Sequence, residues 1–377
     1  MVEATTTTTA ALPPVDVAPR VGRVRERLAE AGCEALLVTN LTNVRYLTGF
    51  SGSAGLLLVL PDELVLTTDG RYQFQSAEQL RAAGVEARIE VGNLAAQQKA
   101  MAEAVRAVHR LGLEAAHVSW ARQRAFASDW FAEAELVPTE GVVEGLRRVK
   151  DEGEIARLEL AARIADEALA ATRPQLLDRP SEADFALELD YRMRRLGAEG
   201  PSFETIVASG PNGAKPHARP SERPIGEGEL LVIDFGALVD GYHSDMTRTL
   251  CVGEPAGPVL SRMVEVVARS QAAGVAAVAA GRPCAEIDQA CREVIAEAGW
   301  ADAFLHSTGH GVGLDIHEAP AVAATSTDTL EERAVVTVEP GVYLPEHGGG
   351  VRIEDSVVVT DGGCRLLTNH PKDLVVT

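Results

Sequence analysis

The strongest constraint on this chain comes from carboxylates that interrupt apolar, strand-like segments in its second half. Asp234 lies within LLVIDFGA, Glu339 follows AVVTV, and Glu354 lies within VRIEDSVVV. A carboxylate buried among Val and Ile is costly unless a cation or several donors compensate it. The alternatives are that Asp234 ends its strand and caps a turn, and that the two glutamates are surface charges on edge strands.

Asp234 and a second acid converge in a predicted hairpin. Asp240-Gly241 is a strong two-residue turn signal between two apolar segments. In that register Asp234 lies opposite Thr247, and Asp245, two residues before Thr247, faces the same way. A slip of the turn by one residue would instead place Asp234 directly opposite Asp245. Both registers bring two carboxylates together.

A second hairpin is predicted around the glycine-rich turn at 347–350. Glu339 follows an apolar strand and is fixed by Pro340-Gly341, and Glu354 interrupts another apolar strand next to Arg352 and Asp355. Four carboxylates in one place repel one another, and two divalent cations would cancel their four negative charges. The acidic pattern therefore predicts a metal site.

Histidines concentrate in the same half of the chain. Seven of the nine follow residue 200: His217, His243, His306, His310, His317, His347 and His370. The segment HSTGHGVGLDIHEAP, residues 306–320, holds three of them with glycines at 309, 311 and 313. Glycine lets backbone and imidazole approach a crowded centre closely, so one of these three is predicted to supply a nitrogen ligand. A chance surface cluster is the alternative.

These residues together resemble a known ligand set. The order Asp234, Asp245, His310, Glu339, Glu354, in VIDFGA, SDMTRT, STGHGVGLDIHE, TVEPGVY and VRIEDS, is similar to the five-ligand signature of the pita-bread metallopeptidases. That superfamily includes methionine aminopeptidases, X-prolyl aminopeptidases and Xaa-Pro dipeptidases (prolidases). TNVRYLTGFSGSAG and TTDGRYQFQSAEQ resemble the creatinase-type N-terminal domain of the proline-specific members, which methionine aminopeptidases generally lack.

The resemblance implies a site with two metal ions. Asp234 would chelate one ion, Asp245 and Glu354 would bridge both, and His310 and Glu339 would complete the second. Such an oxygen-rich set with one imidazole suits Mn(II), with Co(II) or Zn(II) as substitutes. A water shared by the ions as hydroxide would attack a peptide carbonyl, and Glu339 would move its proton towards the leaving amine.

Four other side chains match positions around that site. His217 would donate to a developing oxyanion, His317 would bind substrate or the tetrahedral intermediate, and Arg352 would orient the bridging carboxylates. His306 would support the site from behind these groups, whereas His243 is interpreted as structural. Their alternatives are turn residues for His217 and His306 and a surface ion pair for Arg352.

The chain divides into a tail and two domains. Residues 1–16, with their threonine run and prolines, are predicted to be a disordered tail. Residues 17–145 alternate helices and short apolar strands, which indicates an α/β creatinase-like N-terminal domain with a mixed sheet. Residues 146–377 are predicted to form an α+β pita-bread catalytic domain, in which helices flank a largely antiparallel sheet.

Net charge and cysteine content limit which classes of partner the protein can bind and which cellular compartment suits it. The chain has 35 Lys plus Arg against 55 Asp plus Glu, a net charge of −20, which disfavours nucleic acid and anionic membrane surfaces. Its five cysteines lack C-x-x-C spacing, no export signal is visible, and the apolar segments are too short to cross a bilayer. These features predict a cytoplasmic protein.

The sequence thus predicts a metal-dependent exopeptidase that cleaves the bond between an N-terminal residue and proline in small peptides. The resemblance also implies a homodimer. A non-catalytic pita-bread interaction protein and a creatinase-like amidinohydrolase, which works without this metal set, are the alternatives. The motifs do not distinguish a dipeptidase from an aminopeptidase, because recognition of a free carboxylate next to proline depends on loops outside the motifs.

Overall fold

The computed structural model describes residues 12–377, and most of the predicted disordered tail, residues 1–11, lies outside that part of the chain. The described residues form two compact units, one of residues 15–147 and one of residues 148–377 together with 12–14. None of the described helices is both long enough and apolar enough to cross a membrane. All five cysteines are free thiols.

The unit of residues 15–147 is built on one mixed sheet, as predicted. Its helices are α1 Arg20–Leu28, α2 Leu41–Thr48, α3 Gln73–Ala82, α4 Leu94–Ala104, α5 Trp120–Ala125 and α6 Glu144–Arg147, and its strands are β1 Ala35–Val38, β2 Leu56–Val59, β3 Leu64–Thr68, β4 Arg88–Val91, β5 Arg110–Glu114 and β6 Glu135–Thr139. The strand order is β4-β3-β2-β1-β5-β6. Strand β1 is parallel to β5 and antiparallel to β2. Leu37, Leu58, Met101 and Phe126 are buried in its core.

Helix α1 shows how a predicted element ends. The apolar periodicity predicts a helix that runs to near Gly32, and the regular helix stops at Leu28. One further turn closes on Gly32, which has a φ of 71°. The Cys33 amide donates to the Leu28 carbonyl oxygen at 3.0 Å, which satisfies a carbonyl that the helix end leaves open.

The unit of residues 148–377 combines helices with several largely antiparallel sheets. The helices are α7 Glu152–Thr172, α8 Glu182–Arg195, α9 Pro258–Ala277 and α10 Cys284–Glu297. The strands are β7 Gly200–Pro201, β8 Ile206–Ser209, β9 Leu230–Phe235, β10 Ala237–Val239, β11 Tyr242–His243, β12 Met246–Val252, β13 Gly309–Gly311, β14 Glu318–Val322, β15 Val335–Val338, β16 Gly341–Leu344, β17 Gly349–Arg352, β18 Asp355–Thr360, β19 Gly363–Leu366 and β20 Val375–Val376. The predicted α+β class is confirmed.

Two sheets of this unit carry the candidate site. One has the order β20-β12-β9-β8 and the other β14-β13-β15-β18-β19. Leu169 of α7 and Phe185 of α8 share an apolar core with Ile233 of β9. Val267 of α9 and Ile287 of α10 share a second core that includes strands of the other sheet. Each sheet thus has helices over one face, as expected of an α+β domain.

Helix α7 begins later than its periodicity predicts. The apolar pattern predicts one helix across 145–175, whereas the helix starts at Glu152. Asp151 is its N-cap, and Asp151 and Glu154 form a capping box in which each side chain bonds the other's backbone amide. The helix ends at Thr172, before Pro174, which cannot continue the hydrogen-bonding pattern.

Candidate metal centre

The first predicted hairpin has the register that pairs Asp234 with Thr247. Its turn residues Asp240 and Gly241 have φ values of 46° and 70°, as a type I′ turn requires. This confirms the first of the two registers, and the slipped register is wrong. Asp245 lies directly before strand β12, so the hairpin supplies two carboxylates at one end of the β9–β12 pair.

The second pair of acids lies at one end of the β15–β18 ladder. Val338 pairs with Asp355 at the end of that ladder, and Glu339 and Glu354 are the next residues beyond it. A hairpin forms between them, since β16 pairs with β17. Its turn lies at 345–348, so Gly349 and Gly350 belong to β17 and not to the turn predicted at 347–350. The Glu354 amide donates to the Thr247 carbonyl oxygen at 3.1 Å, which ties this end to the β9–β12 pair.

His310 of strand β13 joins the two pairs of acids. Its Nε2 lies 3.3 Å from Glu339 Oε1 and 3.5 Å from Asp245 Oδ2. Its Nδ1 lies 3.0 Å from the Gly311 carbonyl oxygen, to which it donates, so Nε2 faces the carboxylates with its lone pair available. Asp245, His310 and Glu354 each offer one ligand atom, and these three atoms lie within 4.8 Å of one another.

Three carboxylate oxygens at this point lack hydrogen-bond partners. Asp234 Oδ1, Asp245 Oδ1 and Glu354 Oε1 are buried, and no described residue bonds them. Buried polar atoms normally have hydrogen-bond partners, so three unpaired carboxylate oxygens in one place indicate a site that binds a cation. Carboxylate oxygens with one imidazole nitrogen are the donors that Mn(II) and similar divalent ions accept. The residues present therefore fit divalent metal ions.

The electrostatics of the cluster support the same conclusion. Burial, together with the Glu354 carboxylate, raises the pKa of Asp245 well above its usual range. Burial, together with the Glu339 carboxylate, does the same to the pKa of Glu354. Burial acts to raise the pKa of Glu339, but the hydrogen bond and charge of His310, together with the charges of Arg352 and His306, outweigh burial and the pKa falls. Positive charge among these groups would relieve the repulsion.

Arg352 is buried and connects the acids. Its Nη2 donates to Asp234 Oδ2 at 2.5 Å, and its Nε donates to Thr247 Oγ1 at 3.1 Å. The Thr247 hydroxyl donates in turn to Glu354 Oε2 at 2.8 Å. Arg352 therefore contacts one predicted chelating carboxylate directly and one predicted bridging carboxylate through Thr247. The alternative interpretation of Arg352, an ion pair on the surface, is wrong, because its side chain is only 3% exposed.

The two histidines predicted to face substrate, His217 and His317, line one cavity of about 720 Å³, and His306, predicted to lie behind the site, lines it too. The cavity is also lined by Asp234, Asp245, His310, Glu339 and Arg352. The rings of His310 and His317 are 4.3 Å apart, and burial, with the nearby His310, lowers the pKa of His317. His243 instead contacts Ser202 through Nδ1, in keeping with a structural role.

The sequence did not identify Tyr343, Thr247 or the helix residue Asp288 as residues that contact or support the site. Tyr343 Oη accepts from Arg352 Nη1 at 2.8 Å and lies 2.9 Å from His306 Nε2. The sequence could have indicated this residue, because Tyr343 lies in the strand that directly follows the predicted ligand Glu339 and Pro340. Asp288 could have been found because it lies four residues before Arg292 on a predicted helix, and side chains at that spacing form ion pairs on one helix face.

The glycines around His310 allow close packing, as predicted. A Cβ on Gly309 would lie 2.0 Å from the Thr337 carbonyl oxygen, and one on Gly311 would lie 2.4 Å from that of Ala319. Backbone atoms cannot move aside as a side-chain end can, so His310 reaches its position only between glycines.

We expect Gly309→Ala to lower the free energy of unfolding by about 2 to 3 kcal/mol, because the new methyl group overpacks strand β13. Urea denaturation measures this directly. Gly362→Ala is the matched control, since a Cβ there meets nothing within 4 Å, and it should change stability by less than about 0.5 kcal/mol. Equal stabilities for the two variants would contradict the tight packing at His310.

Comparison with known proteins agrees with this geometry. Residues 156–361 match metallopeptidase family M24, and residues 20–149 match the creatinase/prolidase N-terminal domain. The uncharacterized peptidase YqhT of Bacillus subtilis is 41% identical over 357 residues, which is 95% of this chain and 99% of that protein.

Two solved structures have the same fold over nearly their whole length. An Xaa-Pro dipeptidase from Bacillus anthracis superposes with a TM-score of 0.90 at 39% identity, over 95% of this chain and 99% of that one. An X-Pro aminopeptidase from Thermotoga maritima superposes with a TM-score of 0.84 at 33% identity, over 94% of this chain and 100% of that one. The chain therefore belongs to metallopeptidase family M24 and carries the creatinase/prolidase N-terminal domain.

Proposed function

We propose that this metallopeptidase is an exopeptidase that hydrolyses the bond between an N-terminal residue and proline. The observation that carries the proposal is the convergence of Asp234, Asp245, Glu339 and His310 at the wall of one cavity. The buried Glu354 lies beside Asp245 and His310, and three buried carboxylate oxygens of the cluster are unpaired. The names of similar proteins, an Xaa-Pro dipeptidase and an X-Pro aminopeptidase, support proline specificity. The intact ligand set favours catalysis over a scaffold role and over an amidinohydrolase that works without metal.

We assign the ligand roles as the sequence predicts them. Asp234 would hold one ion, Asp245 and Glu354 would bridge two, and His310 and Glu339 would complete the second. Bound there, two divalent ions would polarise the scissile carbonyl and lower the pKa of an attacking water. The donor set suits Mn(II) best, with Co(II) or Zn(II) as substitutes.

The remaining steps belong to side chains of this protein. His217, which is exposed on the cavity wall, would donate to the oxygen of the tetrahedral intermediate. Glu339 would accept the proton of the attacking water and deliver it to the proline nitrogen as the C–N bond breaks. His317 would hold the substrate beside His310. Arg352 would keep Asp234 in place through its direct hydrogen bond.

Metal removal tests this proposal. We expect the purified protein to hydrolyse Xaa-Pro and Xaa-Pro-Yaa peptides, to lose this activity in a chelator, and to regain it with Mn(II). Peptides with alanine in place of proline are the control and should be poor substrates. Hydrolysis undiminished after complete metal removal would exclude the mechanism, and comparison of the two peptide lengths separates dipeptidase from aminopeptidase activity.

We also propose that the protein is a cytoplasmic homodimer. The free state of all five cysteines supports a reducing compartment. Light scattering coupled to size-exclusion chromatography measures the oligomeric state, and a single monomeric species would overturn that part of the proposal.

A further inference from the structure

One buried carboxylate near the metal centre has no predicted role as a ligand. Asp288, on helix α10, is fully buried. A buried charge is tolerated when both of its oxygens have partners of suitable geometry. The partners of Asp288 are Thr308 and Arg292, and each of them also contacts a segment that lines the cavity.

The first oxygen of Asp288 fixes Thr308. Asp288 Oδ1 accepts from the Thr308 amide at 3.1 Å and from its hydroxyl at 2.9 Å. The carbonyl oxygen of Thr308 in turn accepts from the Glu339 amide at 2.7 Å. His310 follows Thr308 by two residues, and its amide donates to Thr337 Oγ1 at 3.1 Å. Thr308 therefore sets the backbone of two predicted ligands.

The second oxygen of Asp288 fixes Arg292. Arg292 Nε donates to Asp288 Oδ2 at 2.6 Å from the next turn of the helix. The same guanidinium donates to the carbonyl oxygens of Phe304 at 3.3 Å and His306 at 2.5 Å. It also lies over the Phe304 ring, 4.3 Å from the ring centroid. Arg292 therefore anchors the segment that places His306 on the cavity wall.

We propose that Asp288 and Arg292 form a clamp that sets the affinity of the centre for divalent metal. Asp288 positions His310 and Glu339 through Thr308, and Arg292 holds the other oxygen of Asp288 and the segment of His306. The inference rests on the proposed metal site and assigns a role to residues outside the ligand set. Hydrogen-bond partners that orient metal ligands typically change metal affinity about 10- to 100-fold when removed. Asp288 acts on the ligands through Thr308, so it is a positioning residue.

Titration of the metal-free full-length protein with Mn(II) tests the clamp. We expect Asp288→Asn to bind Mn(II) about 10- to 100-fold more weakly than the wild type in calorimetry. Glu286→Gln is the matched control, because Glu286 lies on the same helix and forms an exposed pair with Arg282, four residues before it. That variant should bind Mn(II) as the wild type does.

A second pair of variants keeps the test decisive if Asp288→Asn does not fold. Thr308→Val removes the hydroxyl donor at nearly constant shape and should also weaken Mn(II) binding, whereas Thr308→Ser keeps the donor and should retain most of the affinity. In the double variant, the effects of Asp288→Asn and Thr308→Val should fall short of their sum, because both substitutions act on the same contact between Asp288 and Thr308.

The outcomes separate the clamp from the proposed function. Wild-type Mn(II) affinity in both Asp288→Asn and Thr308→Val would overturn the clamp and leave the metal site intact. Absence of Mn(II) binding in the wild type would overturn the metal site itself. Equal weakening by Thr308→Val and Thr308→Ser would show that the hydroxyl bond to Asp288 does not position the ligands, and would also overturn the clamp.

Discussion

Asp245→Asn should abolish metal binding and peptide hydrolysis together, with a loss of turnover of about 10³-fold or more. Asp245 contributes an unpaired buried oxygen, and its other oxygen lies 3.5 Å from His310 Nε2. The amide has the same shape but lacks the charge and one oxygen donor, so it cannot bridge two ions. Asp245→Ala should have the same effect.

The fold should survive this substitution, which distinguishes it from general damage. Burial and the Glu354 carboxylate disfavour the charged form of Asp245 and raise its pKa, so a neutral side chain should not destabilise the metal-free protein. Asp240→Asn, in the turn of the same hairpin, is the matched control for metal binding. Asparagine tolerates a φ of 46°, and the change removes the ion pair with Arg157 without altering any residue of the cluster. Full activity in Asp245→Asn would refute its assignment as a ligand.

Asp355→Asn should cause the largest loss of stability, about 3 kcal/mol or more in urea denaturation. Arg248 Nη2 donates to Asp355 Oδ1 at 2.9 Å, and both side chains are 1% exposed. Lys372 Nζ lies 2.6 Å from the other oxygen. The substitution leaves the buried guanidinium without an anion, and removal of one partner of a buried pair is far more damaging than loss of an exposed pair.

The matched control for Asp355→Asn is Glu167→Gln. Glu167 pairs with Arg163 on helix α7 at 3.7 Å, and both side chains are about half exposed. Loss of such a pair should change the free energy of unfolding by less than about 1 kcal/mol. Stability losses of similar size in the two variants would contradict the idea that burial decides the contribution of an ion pair.

Short-range patterns carried most of the prediction from sequence. Asp240-Gly241 specifies a two-residue turn, and the turn fixes every pairing on both sides of it, including Asp234 with Thr247. The glycines at 348–350 likewise indicated a hairpin between Glu339 and Glu354, although its turn lies at 345–348, before the predicted position. Periodicity located the helices, although capping by Asp151 moved the start of α7 to Glu152.

Contacts between distant segments could not be predicted in this way. The bonds from Asp288 to Thr308 and from Arg248 to Asp355 join residues 20 and 107 positions apart. Helical or strand periodicity says which side of an element is buried, but it does not say which element packs against it. The clamp and the buried Arg248–Asp355 pair therefore became visible only in three dimensions.

The position of the metal ions themselves tests the account most directly. Crystals grown with Mn(II) and measured at its absorption edge should give two anomalous peaks in each chain. Both peaks should lie among Asp234, Asp245, His310, Glu339 and Glu354, close to the three carboxylate oxygens that lack partners. Peaks elsewhere in the protein, or none at this cluster at saturating Mn(II), would contradict the metal centre and the function built on it.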